Sequence, residues 1–418
     1  MRVLALTNLY PPHALGGYEW SCHDVLRRFA ERGHEPAVLT TSTRFDGMPD
    51  DEIVPFPVVR DLEWYWDDHE LLSPSVPARL AIERRNARRL RAALDRHRPD
   101  VVSVWNVGAM SHGLLRLVAA ADIPIVYVVC DEWPVYGPHL DAWGRLFRAR
   151  PRLARAAEVL LRVPCRQTDL GPTGAWCFTS QHTRDACRAG SPSTFGRSGV
   201  FQLGVEPADF PVVEPGPSAD GVFGWRLLYV GRLDERKGVL TAVDALGLLP
   251  AEATLTLVGR GDAHGAILER AGRAGLDGRV TVSSVDRSEI ASWYREADAF
   301  LFTSEWAEPF GLTPIEAMAC GTPVIGTGTG GSGDFLVDGV NCLRYPPGDA
   351  RALAAAVERL AADAELRDRL RRGGAALATA LTTDRVADVL EEWHRRAAAG
   401  FPDGLPAERP LPLPGTAG

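Results

Sequence analysis

Arg232 and Lys237 share the run YVGRLDERKG, in which Gly231 closes an apolar, strand-like segment and the two cations follow on the loop and early helix. A glycine turn at a helix start frees backbone N–H groups, and the helix dipole adds to the two side-chain charges. The run is therefore suited to an anion such as a phosphate. Taken alone, a surface loop carrying an arginine and a lysine fits the same letters. A second run, EWAEPFGLTPIEAMACGTPVIGTGTGGSGD, sets Glu308 on a loop and Glu316, eight positions later, in a helix that begins near Thr313. The amides from Gly311 to Thr313 then stand at a helix start and offer further donors to an anion. With Thr313 as the cap and Pro314 at the first helical position, Glu316 also fits a capping box, which is the structural alternative to a ligand-binding carboxylate. Gly326, Gly328 and Gly331 satisfy G-x-G-x-x-G, but no strong helix pattern follows them, so a dinucleotide site is set aside.

The elements that must carry these residues are legible as alternation. RVLALT, a helical segment with Val25, Leu26, Phe29 and Ala30 at 3.6 spacing, and PAVLTTS read as strand, helix, strand. DVVSVWN, IPIVYVVC and AWCFTS continue the series as buried parallel strands. Residues 206–224 are rich in Pro and Gly without a sustained period and read as a linker. The alternation then restarts with WRLLYVG, ATLTLVG, VTVSSV, ADAFLFTS and TPVIGT, separated by helices near 237–248, 263–274, 287–296 and 312–320. Helical patterns follow at 351–372 and 383–399. The predicted architecture is α/β: two doubly wound, Rossmann-like domains facing across a cleft, with ligands at the carboxyl ends of the strands. The N-terminal domain is assigned to 1–205, the C-terminal domain to 225–378, a helix returning to the first domain to 379–400, and a disordered tail to 401–418.

Composition removes several classes of function. The 418 residues carry 46 Lys plus Arg against 54 Asp plus Glu, a net charge of -8, which disfavours a nucleic-acid partner. No apolar run reaches membrane-spanning length, the start does not read as a signal peptide, and the expectation is a cytoplasmic protein. Seven scattered cysteines without a C-x-x-C pair fit reduced thiols. There is no D-x-D, no cluster at metal-ligand spacing, no Walker loop and no G-x-S-x-G elbow, so neither a metal nor a bound cofactor is expected.

In combination, G-R-L-x-x-x-K-G, V-G-x-G-D and E-x(7)-E within EPFGLTPIEAMACGTPVI resemble the nucleotide-sugar-dependent glycosyltransferases of family 4, retaining enzymes of GT-B fold. LYPPHALGGYEW, IPIVYVVCDEW and FQLGVEPADF extend the resemblance over most of residues 1–395. It implies a nucleoside diphosphate sugar as donor and a small-molecule acceptor, without a metal, the charge of which Arg232 and Lys237 replace. These two would hold the diphosphate as it leaves. Glu316 would bind the ribose hydroxyls, Glu308 the donor-sugar hydroxyls, and the amides of Phe310, Gly311, Leu312 and Thr313 sugar or phosphate. Gly231 would shape the phosphate loop, Val285 would meet the base, and Gly16 and Gly17 would let backbone approach the phosphate and acceptor.

The chain departs from the family pattern at one position. Where many members have an H-D pair, this sequence has Cys130 and Asp131, and a thiol is a poor hydrogen-bonding substitute. Asp131, His112 or His13 would have to take over part of the role, although such histidines also occur as plain structural residues. On the acceptor side, Trp64, Tyr65 and Trp66 beside Asp67, Asp68 and His69 form either a sugar-stacking loop or aromatics packed on their own domain, and Trp133 begins a second aromatic group. Two arginine-rich stretches, 83–98 and 145–163, would suit an anionic membrane surface, but a solvated face is the preferred reading. The alternatives within reach are a peripheral-membrane glycosyltransferase with a lipid-linked acceptor, a non-catalytic nucleotide-sugar-binding subunit, and an epimerase of the same fold.

Overall fold

The computed structural model describes residues 1–49, 53–67, 70–213, 222–409 and 411. It divides into two compact units, one of Met1–Phe201 with Val386–Arg409 and one built on Gln202–Arg385.

The first unit runs β1 (Arg2–Leu6), α1 (Gly17–Glu31), β2 (Glu35–Thr41), β3 (Val58–Leu62), a small hairpin of β4 (Trp66–Asp67) and β5 (Glu70–Leu71), α2 (Val76–His97), β6 (Val101–Val104), α3 (Gly113–Ala120), β7 (Ile125–Val129), α4 (Trp133–Leu140), α5 (Pro151–Leu161), β8 (Ala175–Phe178), α6 (Gln181–Gly190) and β9 (Ser198–Val200). Its seven-stranded sheet has the order β3-β2-β1-β6-β7-β8-β9, and its pairings are parallel. The central strands are covered on both faces, which is why Val101–Val104 and Ile125–Val129 are buried throughout and read as unbroken apolar runs.

The second unit runs β10 (Arg226–Val230), α7 (Val239–Leu246), β11 (Thr254–Val258), α8 (His264–Arg273), β12 (Val280–Ser283), α9 (Arg287–Glu296), β13 (Ala299–Phe302), α10 (Thr313–Ala319), β14 (Val324–Gly326), β15 (Cys342–Arg344), α11 (Ala350–Ala362) and α12 (Ala364–Ala380), and α13 (Thr383–Ala398) starts at its end. The sheet order is β12-β11-β10-β13-β14-β15, again parallel. In both sheets the chain first adds strands on one side of the opening strand and then crosses to the other. That leaves a switch point between β1 and β6 and another between β10 and β13, where doubly wound sheets take their ligands.

The short edge strands β3, β9 and β15 carry no clear apolar alternation and go beyond the sequence reading. The helix expected at 351–372 is two helices, because Asp363 breaks the run and its carboxylate caps α12 by accepting from the Leu366 amide at 2.9 Å. From Val386 onward α13 belongs to the first unit. There Glu391 accepts from Arg32 at 2.8 Å and lies 3.0 Å from His34.

The tail expected to be disordered is partly anchored: Glu408 Oε1 accepts from Arg184 at 2.7 Å and from the Val200 amide at 3.0 Å. Position 410 and positions 412–418 lie outside the described residues, as do positions 214–221 of the linker. All seven cysteines are buried and free. Among the described residues no helix is long and apolar enough to cross a membrane.

Candidate functional site

In the second unit the two singled-out runs meet at the switch point. The loop after β10 holds Gly231, Arg232 and Lys237, and the loop after β13 holds Glu308. Lys237 Nζ lies 2.5 Å from Glu308 Oε1, with the Glu308 carboxylate buried. The Trp306 ring flanks the ammonium at 5.2 Å. Glu308 is fixed through its backbone as well, since its carbonyl accepts from the Gly331 amide at 2.6 Å. That approach requires Gly330, at φ +60°, where an added Cβ would stand 2.4 Å from the same carbonyl oxygen.

The glycine-rich third run is therefore a structural support for Glu308. Arg232 is half exposed, and its nearest carboxylate among the described residues is Asp234 at 4.0 Å. Asp234 is instead taken by Arg236 at 2.7 Å, and that arginine holds the Asp234 carboxyl down to about 2. The loop thus spends one arginine on its own acid and leaves Arg232 directed outward.

The helix start after β13 differs from the capping-box reading. Thr313 is the first helical residue and Leu312 occupies the cap position, without a side-chain cap. Glu316 does not turn back to the helix start. It is buried, its Oε2 accepts from the Tyr294 hydroxyl at 2.9 Å, and burial raises its pKa while Arg287 opposes the rise. Phe310 packs its ring on Phe335, and Gly311 takes φ +95°, so these residues present backbone at the helix start. Val285 is half-buried between the end of β12 and Asp286, the cap of α9.

In the first unit the loop after β1 carries His13, Gly16 and Gly17. Gly16 is extended, and its amide donates to Glu19 Oε2 at 3.0 Å. A Cβ at Gly16 would meet nothing within 4 Å, so packing inside the unit does not explain the missing side chain.

Asp131 stands close by. Its Oδ1 accepts from the Trp133 amide at 2.9 Å, and its Oδ2 accepts from the Tyr136 hydroxyl at 2.7 Å and from Asn106 Nδ2 at 3.3 Å. Burial raises the Asp131 carboxyl to about 6 and the Glu19 carboxyl to about 7. The Cys130 thiol is buried, and its pKa is pushed up first by burial and then by Asp131.

Both raised carboxyls bind their protons more tightly in the folded chain than in the unfolded one. The stability these two groups contribute is therefore fully present below the unfolded pKa of about 4 and is lost as pH rises towards about 7. Glu19→Gln is expected to raise Tm over the wild type at about pH 8, with the gain shrinking by about pH 5, in thermal melts. An equal difference at both pH values contradicts this.

The remaining candidates fall into two groups. His13 is buried and its Nδ1 accepts from the Phe45 amide at 3.0 Å. Trp64 is buried, donates from Nε1 to Thr43 at 2.8 Å and packs on Trp66, while Tyr65 is fully buried and donates to Glu83 at 2.7 Å. Of the two readings of that segment, the observed one is packing on its own domain, and positions 68 and 69 lie outside the described residues.

His112 and Trp133 do come together, edge to face at 5.8 Å, beside a small cavity that Trp176 also lines. Burial lowers His112 to about 4. Its Nε2 and the Trp133 Nε1 have no hydrogen-bond partner among the described residues. Sequence reasoning missed Glu19, Asn106, Tyr294 and Arg287, whereas Tyr136, read as part of the aromatic group that Trp133 begins, does reach Asp131. Only Glu19 carried a local signal, an acid three residues after the cap position.

Comparison with known proteins follows the same division. Residues 15–193 match the family model described as Glycosyltransferase Family 4, and residues 224–376 the one described as Glycosyl transferases group 1. A glycogen synthase of Mycobacterium tuberculosis is 29% identical over 384 residues, which span 87% of this chain and 86% of that one. A D-inositol 3-phosphate glycosyltransferase of Xylanimonas cellulosilytica is 33% identical over 181 residues, 42% of this chain and 43% of its own. Sucrose-phosphate synthase from Thermosynechococcus elongatus has the same fold, with a TM-score of 0.71 at 23% identity over 96% of this chain and 100% of that one. One family model falls on each doubly wound unit and a relative aligns across both, so the chain belongs to glycosyltransferase family 4 as an enzyme of GT-B fold.

Proposed function

We propose that this enzyme transfers a sugar from a nucleoside diphosphate donor to a hydroxyl of a small-molecule acceptor, with retention of configuration and without a metal. The observation that carries the reading is the Lys237–Glu308 contact at the switch point of the second sheet, with Arg232 directed outward on the same loop. An ammonium held by a buried carboxylate is fixed before the ligand arrives, and fixed charge is what stabilises a departing diphosphate.

In this reading Lys237 and Arg232 neutralise the leaving group, Glu308 orients donor-sugar hydroxyls, and Glu316 accepts from the ribose. The amides of Gly311, Leu312 and Thr313 add donors to the phosphate or sugar, Gly231 lets the phosphate approach, and Val285 meets the base through backbone. Gly16 and Gly17 offer backbone for close approach to phosphate and acceptor, which accounts for the open space where a Gly16 side chain would stand. Asp131, held by Tyr136 and Asn106, takes over sugar-hydroxyl contacts from the absent histidine.

The bond from the anomeric carbon to the phosphate oxygen breaks, and a bond to the acceptor oxygen forms on the same face. The acceptor proton passes to the departing phosphate oxygen. The names of the relatives, a glycogen synthase and an inositol-phosphate glycosyltransferase, fit acceptors that react through a hydroxyl.

The test is the anomeric configuration of the product by NMR, with the reaction run with and without EDTA. The expected product keeps the donor's configuration at an unchanged rate. An inverted product, or activity lost to EDTA and restored by a divalent cation, overturns the reading.

A further inference from the structure

Trp306 joins three loops of the second unit at one point. Its amide donates to the Arg236 carbonyl, on the loop after β10, at 3.2 Å, and its own carbonyl accepts from Thr329 Oγ1, on the loop after β14, at 2.7 Å. The Glu305 amide donates to the same Arg236 carbonyl at 2.9 Å. With its backbone fixed in this way, the indole stands beside two cations: Lys237 Nζ lies 5.2 Å from the ring centre and the Arg236 guanidinium carbon 5.5 Å. Both distances fall within the range, about 6 Å, over which the negative face of the ring attracts a cation.

The two cations differ in what else holds them. Arg236 is already tied to Asp234 at 2.7 Å. Lys237 carries its donors at the end of a long flexible stem, and its ion pair among the described residues is the contact with Glu308. One point of attachment leaves an ammonium free to swing about it. A second carboxylate in place of the indole would stop the swing but would turn the group net negative, which repels a diphosphate. An aromatic face stops it without a formal charge. Tryptophan is the strongest such face, and here it is used at a cost, since its Nε1 is buried without a hydrogen-bond partner among the described residues. Leucine or phenylalanine would fill the place without that cost.

We propose that Trp306 is a positioning residue for the leaving-group charge: its ring holds the Lys237 ammonium in place for the second phosphate of a nucleoside diphosphate. The inference rests on the reading of Lys237 as a diphosphate ligand and adds to it a residue that acts through Lys237.

Isothermal titration calorimetry with UDP, GDP, ADP and dTDP, and with the matching monophosphates, tests this, because the ratio of the two affinities isolates the second phosphate. The wild type is expected to prefer the diphosphate of one nucleotide over its monophosphate, and Lys237→Ala to lose that preference. Trp306→Leu should shrink it by about twofold to about thirtyfold with the monophosphate affinity unchanged, and Trp306→Phe should keep more of it than Trp306→Leu. Mono-, di- and trifluorinated tryptophan inserted at position 306 alone draws electron density off the ring face and leaves the shape almost unaltered. The preference is expected to fall stepwise along that series, which a merely structural role would not produce.

A preference that stays at the wild-type value across the fluorinated series, or in Trp306→Leu, overturns the proposal. Lys237→Ala separates this failure from that of the donor reading. If the preference is lost there and unmoved by fluorine, Trp306 is a packing residue and Lys237 keeps its role. If the wild type binds none of the nucleotides, or Lys237→Ala keeps the preference, the donor reading fails and the proposal with it. If Trp306→Leu fails to fold in a thermal melt, the fluorinated series decides.

Discussion

Lys237→Ala is expected to lower the transfer rate on the order of 10²–10³-fold or more, because it removes a preorganised charge aimed at the leaving group. The effect should fall on kcat as well as on kcat/KM, since the ammonium contributes most when the diphosphate carries its full developing charge. The substitution also strips Glu308 of its partner, and a buried carboxylate left without a cation destabilises the fold. Glu308→Gln in the Lys237→Ala background separates the two consequences. It should restore part of the lost Tm and none of the lost rate, measured by thermal melts and by initial rates with saturating donor. A single variant that retains wild-type kcat contradicts the assignment of Lys237.

The second large effect concerns the nucleotide. Glu316 has little work to do inside its own helix: Leu312 sits at the cap position, and the only hydrogen bond to the carboxylate among the described side chains comes from Tyr294. A buried carboxylate with one oxygen so engaged has an acceptor left for a ribose hydroxyl. Hydrogen bonds to a charged acceptor are worth about 1.5–3 kcal/mol each, so Glu316→Ala is expected to raise the donor KM about tenfold to about a hundredfold. Loss of the Tyr294 partner adds a modest drop in stability. Glu316→Gln, which still accepts from Tyr294, should recover the stability and only part of the affinity. Unchanged donor KM in Glu316→Ala contradicts the ribose role.

Much of this was legible in the amino-acid order, for a physical reason. Strands covered on both faces must be apolar at nearly every position, and β1, β6, β7, β10 and β13 are. The strand β3 contains Arg60 and Asp61 and lies at a sheet edge, where burial no longer dictates the letters. The break at Asp363 was hidden because the alanine- and leucine-rich run continues through it, and only the capping hydrogen bond reveals two helices.

In the site, the residues that meet a ligand in the proposed reading lie in contiguous runs, so Arg232, Lys237, Glu308 and Glu316 could be named from spacing. Their supports are distant in sequence: Tyr294 beneath Glu316, the Gly330–Gly331 turn behind Glu308, Asn106 beside Asp131. No local pattern announces such contacts. The glycine repeat at 326–331 also shows how a motif-like string can be structural, since Gly330 is there to let two backbones touch. Aromatic residues were the least legible group. Trp64 and Tyr65 pack inward, whereas His112 and Trp133 meet beside a cavity, and the letters alone do not distinguish the two outcomes.

The most direct measurement of the donor site is the thermal stabilisation of the wild type and of Glu316→Ala by UDP, GDP, ADP and dTDP. A ligand that binds only the folded chain stabilises it by mass action, by about 2.7 kcal/mol at a hundred times its Kd, and so raises Tm. The account predicts that one of the four nucleotides stabilises the wild type strongly and that Glu316→Ala loses most of that shift. Stabilisation by none of them, or an equal shift in the variant, contradicts a donor site built on Lys237, Glu308 and Glu316.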